Sequence, residues 1–288
     1  MIVQQLPNVK AGIDYWNTQP ANLDGVLGGF GSCALPRIDA LSSRHFILNL
    51  FPQLSTVPSA IRPLSAQPLT RRTRALDVGA GIGRVTSTVL LHLFSDVVLV
   101  EPATHFVQEA LRSVSTASRT DKYAGEWKGV ADAKKSVTVV HGTLQDLDPR
   151  VSPESGGNLT VLGRVGYTPP ESELDKESGF DVIWCQWCLG HLSDEQLTVF
   201  LKLCKESLRS KTKGTGELEG VIVVKENICL EKERGVPRVE FDTNDSTLIR
   251  SDLAWKNVFA NAGLIIVKQE LQTGFPQGLY PVKMYALR

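Results

Sequence analysis

Neither sign of charge dominates this 288-residue sequence, in which 31 Lys and Arg face 31 Asp and Glu. A balanced chain lacks the broad basic surface that grips duplex nucleic acid through its phosphates, so no nucleic-acid partner is expected. Long apolar runs are missing as well. The most hydrophobic stretch, 89–100, is interrupted by His92, Ser95 and Asp96 and falls short of the roughly 20 residues that a helical membrane span requires. The opening residues carry neither the basic segment nor the apolar core of a secretory leader. A soluble protein of the cytoplasm, or also of the nucleus, with no membrane partner is therefore expected. Cysteine is sparse too. The five present are odd in number and scattered, which excludes a disulfide framework. Cys185 and Cys188 form a C-x-x-C, but inside an apolar strand pattern and with no second pair at zinc-ribbon spacing. They are expected to be packing residues, and no metal site is expected.

What the chain does have is enough apolar residue, 42%, for a sizeable core. Pro52, Pro58, Pro63 and Pro68 punctuate a stretch that cannot be helical. Residues 52–73 thus read as a linker between an N-terminal extension, 1–51, and a domain, 74–288. Within the extension, 38–51 shows apolar periodicity. Within the domain, strand and helix patterns alternate. Strands are expected at 74–78, 96–101, 136–140, 180–187, 220–225, 264–271 and 282–287. Helices are expected at 85–93, 104–114, from the Ser193/Gln196 capping box onward, and at 247–262. Segments 115–135, 149–179 and 210–219 read as surface loops. This is the pattern of an α/β protein with a doubly wound, mainly parallel sheet.

Such sheets bind ligands at the carboxyl ends of their strands. There the first strand runs into Asp77, Gly79, Gly81 and Gly83, followed by Arg84. Glycines at a strand-to-helix turn let the backbone turn tightly and approach a ligand closely. A dinucleotide fingerprint needs glycine where Arg84 stands. The G-x-G-x-G spacing preceded by Asp77 instead resembles motif I of the seven-strand S-adenosylmethionine-dependent methyltransferases, and that resemblance implies adenosylmethionine rather than NAD. Glu101 ends the second strand, where a carboxylate can accept both ribose hydroxyls of a nucleoside.

The segment ALDVGAGIGR (75–84) does not stand alone. Together with Tyr15 and Trp16, LDGVLGGFG (23–31), WCQWCLGHL (184–192), VVKEN (223–227) and FDTNDST (241–247), it closely resembles the protein α-N-terminal methyltransferases. These are seven-stranded class I enzymes, and they use S-adenosyl-L-methionine, released as S-adenosyl-L-homocysteine, to methylate the α-amine of proteins beginning Xaa-Pro-Lys after Met removal. The resemblance implies a helical extension lying over the active site. It places Trp16, Gly79, Gly81, Gly83, Arg84, Glu101, Leu144, Gln145 and Gln186 at the cofactor. It places Tyr15, Leu27, Gly28, Trp187, Asp242 and Tyr280 along a peptide channel, with Asn227, Asp245 and His191 at the reacting amine. A larger aliphatic residue is expected where Cys33 stands. Peptides starting Xaa-Pro-Lys, those of ribosomal proteins among them, would be the partners of a monomeric enzyme.

The chemistry asks for these residue types. A free α-amine titrates near pH 7.7–8.0, so only modest help with deprotonation is needed. Asp245 and His191 can take the proton. The Asn227 carbonyl can accept an N–H, Asp242 can pair with a lysine ammonium, and Trp187 offers a flat face to proline. Blander roles exist for each residue. Asp242 and Asp245 could cap a helix beginning near Thr247, His191 could be a loop histidine, and Trp184 or Trp187 could be pure core. A small-molecule methyltransferase, or a silent module that binds without turnover, are the competing readings of the whole chain.

Overall fold

The computed structural model describes residues 5–57, 69, 71–119, 126–152, 158–170, 179–210 and 218–288. Among these, ten strands form: β1 (Arg74–Val78), β2 (Asp96–Glu101), β3 (Ser136–His141), β4 (Thr160–Gly166), β5 (Val182–Gln186), β6 (Val221–Cys229), β7 (Val239–Asp242), β8 (Thr247–Ser251), β9 (Ile266–Leu271) and β10 (Val282–Leu287). The main sheet runs β4-β3-β2-β1-β5-β6-β10-β9. β1, β2, β3, β5 and β6 are mutually parallel, whereas β4 and β10 run against their neighbours. β8 continues from the end of β6 by pairing at Ile228 and Cys229, and β7 pairs with β8.

Side chains alternate across the strands, so each strand feeds two cores. Ala75, Val97, Val182, Val221 and Ala286 face one cluster. Leu76, Val98, Ile183, Ile222 and Tyr285 face the other. The first cluster is covered by α3 (Leu35–Leu50), by α4 (Leu91–Leu93) with the π turn Thr86–Leu90 before it, and by α5 (Thr104–Ala117). The second is covered by α6 (Asp194–Glu206) and α7 (Asp252–Asn261). The fold is therefore the expected doubly wound α/β sheet with helices on both faces. α6 starts at the expected capping box, with Ser193 accepting from Gln196 N and the Gln196 side chain accepting from Ser193 N.

Three strands lie beyond the seven read from sequence. β4 occupies part of 149–179, where flanking Gly, Pro and charge obscure a short alternating run that leaves one face exposed. β8, with β7 paired to it, replaces the start of the helix expected at 247–262. Thr247–Ser251 is extended, and the helix begins only after Ser251, whose hydroxyl accepts from Ala254 N. Asp242 and Asp245 therefore cap no helix, and Asp242 accepts instead from Asn244 N within the turn. Of the segment 115–135, residues 120–125 lie outside the described residues, and the rest is more than a loop, since α5 continues to Ala117 and Trp127 is buried.

The extension contributes α1 (Val9–Thr18), α2 (Leu23–Val26) and α3, and α3 shares the first core cluster through Ala40, Phe46 and Ile47. Of the 52–73 linker, Leu54 is buried, while Arg71 and Arg72 pair with Asp181 and Asp96. Positions 58–68 and 70, which carry its last three prolines, lie outside the described residues. So does 211–217 of the loop expected at 210–219.

Candidate active site

At the end of β1 the chain turns through Gly79, Gly81 and Gly83, with φ of 63°, 58° and 79°. These left-handed conformations favour glycine, but the space around each differs. A Cβ on Gly79 would strike Cys188 Cβ at 2.4 Å, and one on Gly83 would strike Trp127 at 2.6 Å. A Cβ on Gly81 would meet only Val26, at 3.4 Å. Gly81 thus opens onto a cavity, whereas Gly83 allows the turn to pack on Trp127. Gly83, expected at the cofactor, is not among the residues that line the cavity.

Glu101 at the end of β2 faces this turn. Its carboxylate accepts from Gly81 N and from Ala103 N, both at 2.8 Å. Burial raises its pKa to about 7, even though both backbone donors favour the charged form. Burial likewise lifts Asp77 to about 6, against a hydrogen bond from the Thr86 hydroxyl.

The cavity measures about 950 Å³, counting space open to solvent. Trp16, Gly79, Gly81, Arg84, Glu101, Leu144, Gln145 and Gln186 all line it. So do Val9, Gly12 and Ile13, which sequence reasoning missed. Their spacing with Trp16 (9, 12, 13, 16) is that of one helix face, and α1 lays that face over the cavity. Gly12 allows the close approach, because a Cβ there would lie 2.8 Å from His191 Nδ1 and 3.2 Å from the Asp245 carbonyl oxygen.

A second cavity, about 1000 Å³ on the same basis, shares Trp16, Val26 and Trp187 with the first. Leu27, Gly28, Trp187, Asn227, Asp245 and Tyr280, all read from the sequence as residues of the channel or the amine, line it. Glu226 and Phe275 line it too and were not foreseen. Trp184, by contrast, is wholly buried core. Tyr15 and Asp242 are not among the lining residues, but they stand close by. The Tyr15 phenol is raised by burial and by the charges of Asp245 and Asp242. Tyr280 donates to Glu240 at 3.2 Å, on the strand that ends at Asp242. Buried Leu35 also lines this cavity, whereas Cys33 is exposed, does not line it, and donates to the Phe30 carbonyl.

The three residues expected at the amine divide between the cavities. Asn227 and Asp245 line the second, whereas His191 lines the first. His191 Nε2 accepts the indole N–H of Trp16 at 3.1 Å, and burial lowers its pKa to about 4. Its one acceptor nitrogen is thus taken, and His191 orients Trp16. Asp245 sits in the turn between β7 and β8, where the Thr247 hydroxyl donates to Oδ1 at 2.6 Å. Burial raises its pKa, and the charge of Asp242 adds to the effect.

Trp187 adopts φ 55°. Glu226 holds the turn that follows, accepting from Cys188 N and Leu189 N at 2.9 Å each. Burial lifts the Glu226 carboxyl to about 7. Among the described residues no group of three or more His, Cys, Asp or Glu is arranged to hold a metal, and no helix is long and apolar enough to cross a membrane.

A doubly wound sheet whose first strand ends in an open glycine turn, facing a carboxylate on the next strand, fits a class I adenosylmethionine-dependent methyltransferase, and the comparisons with known proteins show that class. The model of the AdoMet-dependent proline di-methyltransferase family matches residues 7–288, and the chain belongs to that family. It is 32% identical over 275 residues to the alpha N-terminal protein methyltransferase 1 of Schizosaccharomyces pombe, covering 96% of this chain and 93% of that one. It is 33% identical over 274 residues to the N-terminal Xaa-Pro-Lys N-methyltransferase 1 of Danio rerio, covering 95% and 92%. A solved SAM-dependent methyltransferase from Leishmania major superposes with a TM-score of 0.63 at 28% identity, covering 97% of this chain and 82% of that one.

The first cavity fits the family's cofactor. A side chain on Gly81 would project into the space the ligand needs, and the Glu101 carboxylate keeps lone pairs for ribose hydroxyls. Arg84 supplies a cation in a cavity that otherwise holds Asp77 and Glu101.

Proposed function

We propose that the second cavity receives a protein N-terminus beginning Xaa-Pro-Lys and that the enzyme methylates its α-amine. The observation that carries this reading is the junction of the two cavities at Trp16, Val26 and Trp187, with Asn227 and Asp245 on the far side. The relatives' names point to the same substrate. When bound, adenosylmethionine supplies an electrophilic methyl on a sulfonium.

The protein's own residues prepare the nucleophile. Asp245, held by Thr247 and raised by burial, takes the amine proton at its carboxylate. The Asn227 carbonyl accepts a remaining N–H and fixes the approach of the lone pair. Trp187 gives the proline ring a flat wall. Asp242, beside the channel, faces the lysine ammonium. His191 acts on Trp16 rather than on the proton. Ribosomal proteins with this N-terminus are the intended targets of a monomer acting in the cytoplasm or the nucleus.

Mass spectrometry of a Ser-Pro-Lys peptide incubated with enzyme and adenosylmethionine tests the reading. Methyl additions should appear on the α-amine, and an unchanged mass overturns it. Asp242→Asn should raise KM for that peptide about tenfold or more, since a lost charge-assisted contact costs roughly 1.5–3 kcal/mol. The penalty should shrink on Ser-Pro-Gln. Equal losses on both peptides would remove Asp242 from lysine recognition.

A further inference from the structure

The extension carries one fully buried carboxylate that neither cavity explains. Asp39 of α3 is 0% exposed and accepts from three donors on three separate elements. Arg84 Nη1, after the glycine turn, lies at 2.5 Å. Gln186 Nε2, at the end of β5, lies at 3.0 Å and 3.1 Å from its two oxygens. Lys225 Nζ, in β6, lies at 2.6 Å. Burial on its own would raise this carboxyl, but Arg84 and Lys225 hold it at about 2, so it stays charged. The next polar residues on the same helix face complete the network. Ser43 accepts from Lys225 at 3.0 Å, and Ser42 donates to Gln272, which also accepts from Lys225.

Two of the three groups that Asp39 holds, Arg84 and Gln186, line the first cavity. The Arg84 guanidinium carbon is 5.4 Å from the ring centroid of Trp187, the wall common to both cavities. Apolar residues alone would fasten a helix to a sheet, and swapping a buried ion pair for well-packed apolar groups is often neutral or stabilising. What a carboxylate adds is direction: its two oxygens fix where each donor points.

We propose that Asp39 is a positioning residue for methyl transfer, aiming Arg84 and Gln186 into the cofactor cavity and so making the extension a part of that site. This rests on the assignment of the first cavity to the cofactor. Wild-type enzyme is therefore titrated first with adenosylhomocysteine by calorimetry, and absence of binding there refutes the cavity assignment itself.

Given wild-type binding, Asp39→Asn should weaken affinity roughly tenfold or more, as expected when an ion-paired anchor is lost. KM for adenosylmethionine should rise more than kcat falls. Because this variant leaves two buried cations without their anion, it is paired with two others. Lys225→Met keeps the Asp39–Arg84 pair and should bind near wild-type strength. Asp39→Asn with Lys225→Met removes one cation along with the anion. It should melt close to wild type yet bind as weakly as Asp39→Asn. Recovery of affinity along with melting temperature in the double variant would make Asp39 purely structural and overturn the proposal. So would wild-type affinity in a folded Asp39→Asn.

Discussion

Asp245→Asn should lower kcat by about 10²–10⁴-fold, the usual contribution of a general base, while leaving adenosylmethionine affinity nearly unchanged. Asp245 lines the second cavity only, so its loss does not reach the cofactor. Asn keeps the shape and can still accept from Thr247, but it cannot take a proton at neutral pH. The pH profile carries the sharper test. A substrate amine with a pKa near 8 reaches the site already neutral at higher pH, so the variant should recover part of its rate as pH rises. The wild type gains less over the same range, because Asp245 already serves. Melting temperature should hardly move, because the nearby helix is capped by Ser251 and not by Asp245. A kcat close to wild type at pH 7 would end the base assignment.

Glu101→Gln should weaken adenosylmethionine binding by about 10–100-fold, since hydrogen bonds to a charged acceptor are worth roughly 1.5–3 kcal/mol. It should also flatten the pH dependence of binding. In the free enzyme burial holds the Glu101 pKa at about 7, and the ribose hydroxyls call for the carboxylate. The sign follows directly: below pH 7 the group is protonated, and binding must expel that proton. Apparent Kd should then rise by about tenfold for each unit of pH below the pKa. Above pH 7 the wild-type curve should level off. Calorimetry from pH 5.5 to 8.5 on both proteins checks this. A wild-type affinity that stays level across the range, or a variant just as steep, would place the ribose elsewhere.

The sheet was legible because its central strands are apolar on both faces and end in turn signals. The glycine turn and Glu101 were legible because backbone constraint leaves a mark on residue type. The β7–β8 pair was not. Leu248, Ile249 and Arg250 continue smoothly into the apolar spacing of α7, and four nearby residues (Asp242, Asp245, Ser246 and Ser251) all suit a helix cap. Only pairing with the end of β6 and with β7, which no local pattern announces, decides among them.

Asp39 and Glu226 were invisible for a related reason. A carboxylate in an amphipathic segment reads as solvated, and only the assembled fold shows donors converging on it. Leu35, the first residue of α3, lines the second cavity and was missed because an apolar residue opening a helix reads as ordinary core. The cavity face of α1 could have been found from the spacing of Val9, Gly12, Ile13 and Trp16. Glycine, however, lowers the weight of any helical pattern it interrupts.

That glycine also bears on the order of the whole roof. A mid-helix Gly costs about 1 kcal/mol relative to Ala, yet the closeness of His191 and Asp245 leaves no room for a Cβ. α1 is therefore intrinsically weak at the point where it covers the first cavity. It is held instead from outside, with Asn8 N donating to the Ser246 hydroxyl, Trp16 to His191, and the Gln19 carbonyl bonded to His105. A helix so placed draws its order from what it covers. By linkage, any molecule that fills the cavity beneath α1 steadies the helix, and whatever steadies the helix tightens the grip on that molecule.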